Sequence, residues 1–92
     1  MLVTPRVFNK RGPHPPRAVL VDRTTDFGNP FKIGEHGNRQ DVIEKYEFWI
    51  FQPEQLALRE RMIRELKGQD LLCWCAPDAC HADIILSIAN AD

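Results

Sequence analysis

Two short apolar segments, Ala18–Asp22 and Asp70–Cys75, limit the folds that this chain can adopt. Both carry apolar residues at successive positions, as strands buried on two faces do, so both are expected to be central parallel strands. The region between them contains two helical patterns, which supply the crossover that parallel strands need. A third strand is expected within Leu2–Phe8, at an edge because Pro5 interrupts it. The pattern predicts a small α/β sandwich with a three-stranded, mostly parallel sheet and three helices.

The helical patterns have recognisable starts and ends. Asn38 can cap the first helix, Pro53 suits the start of the second, and Gly68 suits the position after it. The third is expected over Ala79–Asn90, with Asp78 as its cap. The expected core-facing residues are Val42, Ile43, Tyr46, Trp49 and Ile50 in the first helix and Leu56, Met62, Ile63 and Leu66 in the second.

The 92 residues and the 43% apolar content predict a single globular domain over residues 1–92. It would contain a basic, proline-rich loop at 9–17 and a long structured loop at 23–37 that carries a Gly-Asn-Pro-Phe sequence. The three cysteines are an odd number, and no secretion signal precedes them, so a cytoplasmic location with unpaired thiols is expected. No apolar run is long enough to cross a membrane, and no membrane partner is expected.

The net charge of −1 conceals an uneven distribution. The chain up to Arg23 carries +4, and the remainder carries −5. Such a basic arm could bind phosphate or nucleic acid, although a solvated loop would have the same composition. Its Pro13, Pro15 and Pro16 leave open a third reading, a non-enzymatic protein-interaction module.

Polar residues follow both apolar segments. Asp22 and Arg23 come after the first, and Cys75, Cys80 and His81 come after the second. Ligands of open parallel sheets bind beyond the carboxyl ends of the strands. If the two strands are neighbours, these five residues line one crevice.

The crevice would suit a small phosphorylated or nucleotide-like ligand. Arg23 offers a forked positive donor to phosphate, and Asn29 could orient a polar group. Gly28 would permit a turn or a close approach of the backbone to the ligand. Trp74 or Phe31 could contact a planar base.

A reaction at the same crevice would use a cysteine. Cys80, in the first turn of a helix, could be a nucleophile with a lowered pKa, and His81 or Asp22 could move protons. An unreactive core thiol followed by a capping imidazole would give the same sequence. The residues therefore leave open whether the chain is an enzyme.

No cofactor is required by this reading, but the same segment suggests an alternative. Cys73, Cys75, Cys80 and His81 form a Cys₃His set, which is chemically suited to tetrahedral zinc. Their spacing argues against it, because paired zinc cysteines are usually separated by two to four residues.

Two separated motifs resemble a known family. They are Asp22-Arg23 with Gly28-Asn29-Pro30-Phe31, and Cys73-Trp74-Cys75-x-Pro77-x-x-Cys80-His81, with Arg39 and Tyr46 between them. From about Val7 to Asn90, the chain resembles domain-of-unknown-function family 4326. Members of this family are small bacteriophage and bacterial proteins. The resemblance implies a phage or bacterial cytoplasmic setting and a shared site, with no assigned reaction. The site residues that it implies are Arg23, Gly28, Asn29, Arg39, Cys73, Cys75, Cys80 and His81. Arg39 has an alternative role, because it could pair with Asp41 or Glu35.

Overall fold

The computed structural model describes residues 4–76 and 78–91 of the chain. Within them, three short strands form one parallel sheet, namely β1 (Val7–Asn9), β2 (Val19–Leu20) and β3 (Leu71–Cys73). β3 lies in the middle, and Val7 and Val19 are the neighbours of Leu71 on its two sides. The predicted small α/β fold with a three-stranded parallel sheet is confirmed.

The sequence expectation that both apolar segments are central strands is wrong for β2, which lies at an edge of the described sheet. Among the described residues, it pairs only with β3, through hydrogen bonds from Val19 N–H to the Asp70 carbonyl (2.8 Å) and from Val21 N–H to the Leu72 carbonyl (3.1 Å). A sheet of three strands has one central position, and β3, with all three residues buried, occupies it.

The strands are also shorter than expected. The chain bends at Trp74, so β3 ends at Cys73 and does not reach Cys75. Leu2, where the first strand was expected to begin, and Pro77, where the last was expected to end, lie outside the described residues.

Three α-helices lie in the described part of the chain. They are α1 (Arg39–Ile50), α2 (Leu56–Leu66) and α3 (His81–Ala89). None of them is long and apolar enough to cross a membrane. α1 begins as predicted, because the Asn38 side chain accepts from Asp41 N–H and the Asp41 carboxylate accepts from Asn38 N–H, both at 2.9 Å.

α2 differs from its prediction at its start and on its buried face. Pro53–Gln55 forms a 3₁₀ turn before the helix begins. Met62 and Leu66 are buried as expected, but Leu56 and Ile63 are 51% and 41% exposed. The row that faces the core consists of Leu58, Met62 and Leu66, spaced four residues apart, and this row places Leu56 and Ile63 outside the contact. Gly68 follows the helix with a φ of +77°, the left-handed conformation expected after a helix end.

α3 begins two residues later than predicted, and Asp78 is not its cap. Cys80 occupies the cap position, and its N–H donates to the Asp83 carboxylate at 3.1 Å. Asp78 is instead part of the preceding turn, in which its N–H donates to the Cys75 carbonyl at 2.8 Å. The hydrogen bond at the start of α3 is therefore accepted by Asp83, in the first turn of the helix, and not by Asp78, which precedes the helix.

α3 is the element that joins the sheet to the other helices. It packs against β1 and β3 and against α1 and α2. Its Ala82, Ile85 and Ala89 are fully buried in the same core as Leu71 and Tyr46. Because α3 starts close to the end of β3, its first residues lie at the carboxyl end of the sheet.

Candidate functional site

A cleft of about 340 Å³ opens at the carboxyl ends of β2 and β3. It is lined by residues that follow these two strands, by the first residue of α3 and by part of α1. All of the site residues singled out from the sequence line it except Gly28. β2 and β3 are parallel neighbours, so the segments that leave them emerge on the same side of the sheet.

Asp22 is held by hydrogen bonds on both carboxylate oxygens. Oδ1 accepts from the backbone N–H and the hydroxyl of Thr24, and Oδ2 accepts from Trp74 Nε1–H at 2.7 Å. The hydrogen bonds from Thr24, and then the one from Trp74, lower the pKa of Asp22. An ionised carboxylate with occupied oxygens is a weak base, so Asp22 is better suited to hold Trp74 in place than to move protons.

Trp74 forms an aromatic wall of the cleft and is 48% exposed. The guanidinium of Arg11, in the basic loop, lies 5.3 Å from the centre of its ring. The Asn9 side chain also donates to the Trp74 and Ala76 carbonyls, at 3.3 and 2.8 Å. The basic loop is thus fastened beside the cleft, through Asn9 and Arg11.

The loop at 23–37 is fixed by its own residues. A Cβ atom on Gly28 would lie 2.5 Å from Arg23 Cα and 2.6 Å from the Asp22 carbonyl oxygen, so only glycine fits this approach. The side chain of Asn29, which is 6% exposed, donates to the Val42 carbonyl at 3.1 Å and accepts from Phe31 N–H at 2.9 Å. Gly28 therefore contacts the chain's own backbone, and Asn29 joins the loop to α1.

Two guanidinium groups face the cleft. Arg23 donates to the Phe31 carbonyl at 3.0 Å, and no carboxylate among residues 4–76 and 78–91 pairs with it. Arg39 donates to the Ala79 carbonyl at 3.2 Å and lies 4.0 Å from the Asp78 carboxylate. Arg39 thus joins α1 to the loop before α3, and the pairing with Asp41 or Glu35 considered above does not form.

Cys75 is the most accessible of the three thiols. It is half-buried, lines the cleft and is hydrogen-bonded to Arg39. This hydrogen bond is the largest cause of a raised pKa at Arg39.

Cys73 and Cys80 form a buried pair whose sulfur atoms lie 3.2 Å apart. The Cys80 thiol donates to the Cys73 sulfur, which also accepts hydrogen bonds from the backbone N–H groups of Cys75 and Ala76. The hydrogen bond from Cys80 is the largest cause of a lowered pKa at Cys73, about 6. The neighbouring sulfur and burial raise the pKa of Cys80. This direction disfavours the Cys80 thiolate that a nucleophile requires, and the catalytic role of Cys80 stays a prediction.

His81 is the first residue of α3 and lines the cleft, and its ring is held by two contacts. Its Nε2–H donates to the Val21 carbonyl at 2.6 Å, and the Tyr46 ring meets it edge-on at 5.3 Å between centroids. Burial lowers the pKa of His81, so the ring is neutral at pH 7. Because Nε2 carries the proton, Nδ1 holds the lone pair that could accept one from a bound group.

One family of proteins matches nearly the whole chain. The model of the family described as "Domain of unknown function (DUF4326)" matches residues 7–91. The chain belongs to this family. No curated protein and no solved structure significantly matches the chain.

For this DUF4326 domain, the zinc alternative can be compared with the geometry. Among the described residues, no group of three or more His, Cys, Asp and Glu side chains is arranged to hold a metal ion. His81 Nε2 is engaged by the Val21 carbonyl, and the Cys73 and Cys80 sulfurs are hydrogen-bonded to each other. Zinc binding through these residues would require both contacts to break.

Some residues of this DUF4326 cleft were not singled out by the sequence. Ile33, Val42 and Ile43 form apolar parts of its lining, and the helical period gave Val42 and Ile43 only a core role. Of the two aromatic residues considered for a planar base, Trp74 lines the cleft. Phe31 packs its ring against His36 instead, at 5.6 Å between centroids.

Proposed function

We propose that the cleft binds a small ligand that carries a phosphate group and a planar ring, such as a nucleotide. The observation that carries this proposal is that Arg23, Arg39 and Trp74 line the same cleft. Guanidinium groups bind phosphate in a forked geometry, and an aromatic wall accepts a planar ring.

The dimensions and surface of the cleft support a small-molecule ligand. Its volume lies at the lower end of the range of about 300–1,000 Å³ that ligand pockets occupy. Its lining is mainly apolar, with Ile33, Val42 and Ile43 among the lining residues, and a few polar groups converge on it. Such a surface holds a ring by burial and orients it by a few charges.

The charges favour an anion. Arg23 is exposed and has a carbonyl, rather than a carboxylate, as its partner within the described chain. Arg39 is held in place by the Ala79 carbonyl and Cys75, so little side-chain entropy is lost when a ligand binds. The Asp22 carboxylate, which would repel a phosphate, is occupied by Thr24 and Trp74.

The proposal is one of binding, and chemical action on the ligand would add His81 as the proton acceptor through Nδ1. The three cysteines are free, as is usual for proteins of a reducing compartment. This supports the proposal that the protein acts in the cytoplasm of a bacterial cell, or of the bacterial host of a phage.

The test is titration calorimetry of the purified protein with AMP, adenosine and inorganic phosphate as probes. AMP is expected to bind more tightly than either adenosine or phosphate. Arg23→Gln and Arg39→Gln should each weaken AMP binding by about 10- to 100-fold, the value of one charge-assisted hydrogen bond. Trp74→Ala should weaken the binding of AMP and of adenosine but leave the binding of phosphate unchanged.

Arg64→Gln is the matched control, because it removes the same charge from an exposed position on α2 outside the cleft. It should leave AMP binding unchanged. Equal affinities for AMP and adenosine, or equal losses in the Arg64 and Arg23 variants, would contradict the phosphate site. Failure of all three probes to bind would overturn the proposal as a whole.

A further inference from the structure

The paired sulfurs of Cys73 and Cys80 are placed for a reaction that the ligand proposal does not use. One lies at the end of β3 and the other at the cap of α3, and the bend between them brings the sulfurs to 3.2 Å. A disulfide bond is about 2.05 Å long, so the two atoms need to approach by only about 1 Å.

The surroundings of Cys73 stabilise a thiolate. Its sulfur accepts hydrogen bonds from the Cys80 thiol and from the backbone N–H groups of Cys75 and Ala76. All three donors favour the ionised form, which is the form that oxidants attack. Both sulfurs belong to residues that line the cleft, which gives a small oxidant a route to them.

We propose that Cys73 and Cys80 are an oxidisable dithiol, which a peroxide that enters the cleft converts to an intramolecular disulfide. The Cys73 thiolate attacks one peroxide oxygen, the O–O bond breaks, and a sulfenic acid forms while hydroxide leaves and takes up a proton. The Cys80 sulfur then attacks the Cys73 sulfur, loses its proton to the departing hydroxide and expels water. In total, the two thiols lose two electrons and two protons, and hydrogen peroxide becomes two waters.

Cys75 is the third thiol and has a different setting. It is hydrogen-bonded to the Arg39 guanidinium and is more exposed than the pair. We therefore assign Cys73 and Cys80 as partners and leave Cys75 outside the bond. The assignment does not depend on nucleotide binding, and either proposal can fail without the other.

The experiment treats the Cys75→Ser protein with hydrogen peroxide and measures its intact mass. The expected product is a monomer that has lost two hydrogen atoms and has no titratable thiol, and a thiol reductant should restore it. A protease that cleaves before aspartate cuts between the two cysteines, at Asp78. The peptides 70–77 and 78–82 should therefore remain linked until they are reduced.

Cys80→Ser and Cys73→Ser are the matched controls. Cys80→Ser lacks the resolving thiol, so its Cys73 should accumulate a sulfenic acid that dimedone traps, whereas Cys73→Ser should not be labelled at Cys80. Circular dichroism checks that both variants fold. If they do not, the intact mass and the linked peptides of Cys75→Ser alone test the disulfide between Cys73 and Cys80. Uptake of oxygen atoms without loss of hydrogen in Cys75→Ser, or linkage between two chains, would overturn the proposal.

Discussion

Replacement of Gly28 by alanine tests whether the loop at 23–37 is held by steric fit against the end of β2. The added Cβ would lie 2.5 Å from Arg23 Cα, 2.6 Å from the Asp22 carbonyl oxygen and 2.9 Å from Arg23 N. Carbon atoms in favourable contact are about 3.5–4.0 Å apart, so the loop has to move by about 1 Å. All three contacts are with backbone atoms, which cannot turn away as a side chain can.

The expected cost follows from these contacts. Overpacking of this kind costs about 1–3 kcal/mol, and the reduced freedom of the unfolded chain returns about 0.4–1 kcal/mol. The difference, a net loss of about 1.3 kcal/mol in the free energy of unfolding, corresponds to a fall in Tm of about 5–10 °C for a chain of this length. The displacement would also move Arg23, so binding to the cleft should weaken together with stability.

Urea denaturation followed by circular dichroism measures this loss, with an unchanged m-value expected for a native state of unchanged compactness. Gly12→Ala is the matched control, because a Cβ there meets only the Asn9 carbonyl oxygen, at 3.8 Å, and its φ is not positive. Gly12→Ala should be neutral or slightly stabilising. If the two variants unfold within about 0.5 kcal/mol of each other, the steric account of Gly28 is refuted.

Two further outcomes can be checked on the same protein. Tyr46→Phe should cost about 1 kcal/mol by urea denaturation, because it removes the buried hydrogen bond from the Tyr46 hydroxyl to the Phe27 carbonyl (3.2 Å); an unchanged midpoint would show that this bond does not hold the loop. The pKa of His81 is lower in the folded than in the unfolded state, so its contribution to stability is complete above the unfolded pKa of about 6.5 and is lost as the pH falls from there through the folded pKa. His81→Gln, which can still donate to the Val21 carbonyl, should flatten the decline in stability between pH 7 and pH 5, and identical slopes for the two proteins would contradict the lowered pKa.

The sequence by itself was sufficient for the elements with local signals. Asn38 and Asp41 start α1 through hydrogen bonds between residues three positions apart, so the sequence alone could specify them. The helical period of α1 predicted the burial of Val42, Tyr46 and Ile50 correctly. The parallel sheet followed from the crossover between two apolar segments. The Gly-Asn-Pro-Phe and Cys-Trp-Cys motifs were sufficient to indicate the family, which the match over residues 7–91 confirms.

Tertiary structure decided what depends on distant neighbours. Whether β2 is central or at an edge depends on the number of strands that pair beside it, which its own residues do not encode. The start of α3 was set by the hydrogen bond from Cys80 N–H to Asp83 and not by Asp78, although a carboxylate before the helix is the usual cap in a sequence pattern. The direction of the Cys80 pKa shift also depends on a distant neighbour, since a helix N-terminus favours a thiolate but the sulfur of Cys73, 3.2 Å away, opposes it. Local hydrogen bonds and helical periodicity depend on residues a few positions apart, so the sequence contains them. The burial, the pKa and the contact partners of a side chain depend on the packing of the whole molecule.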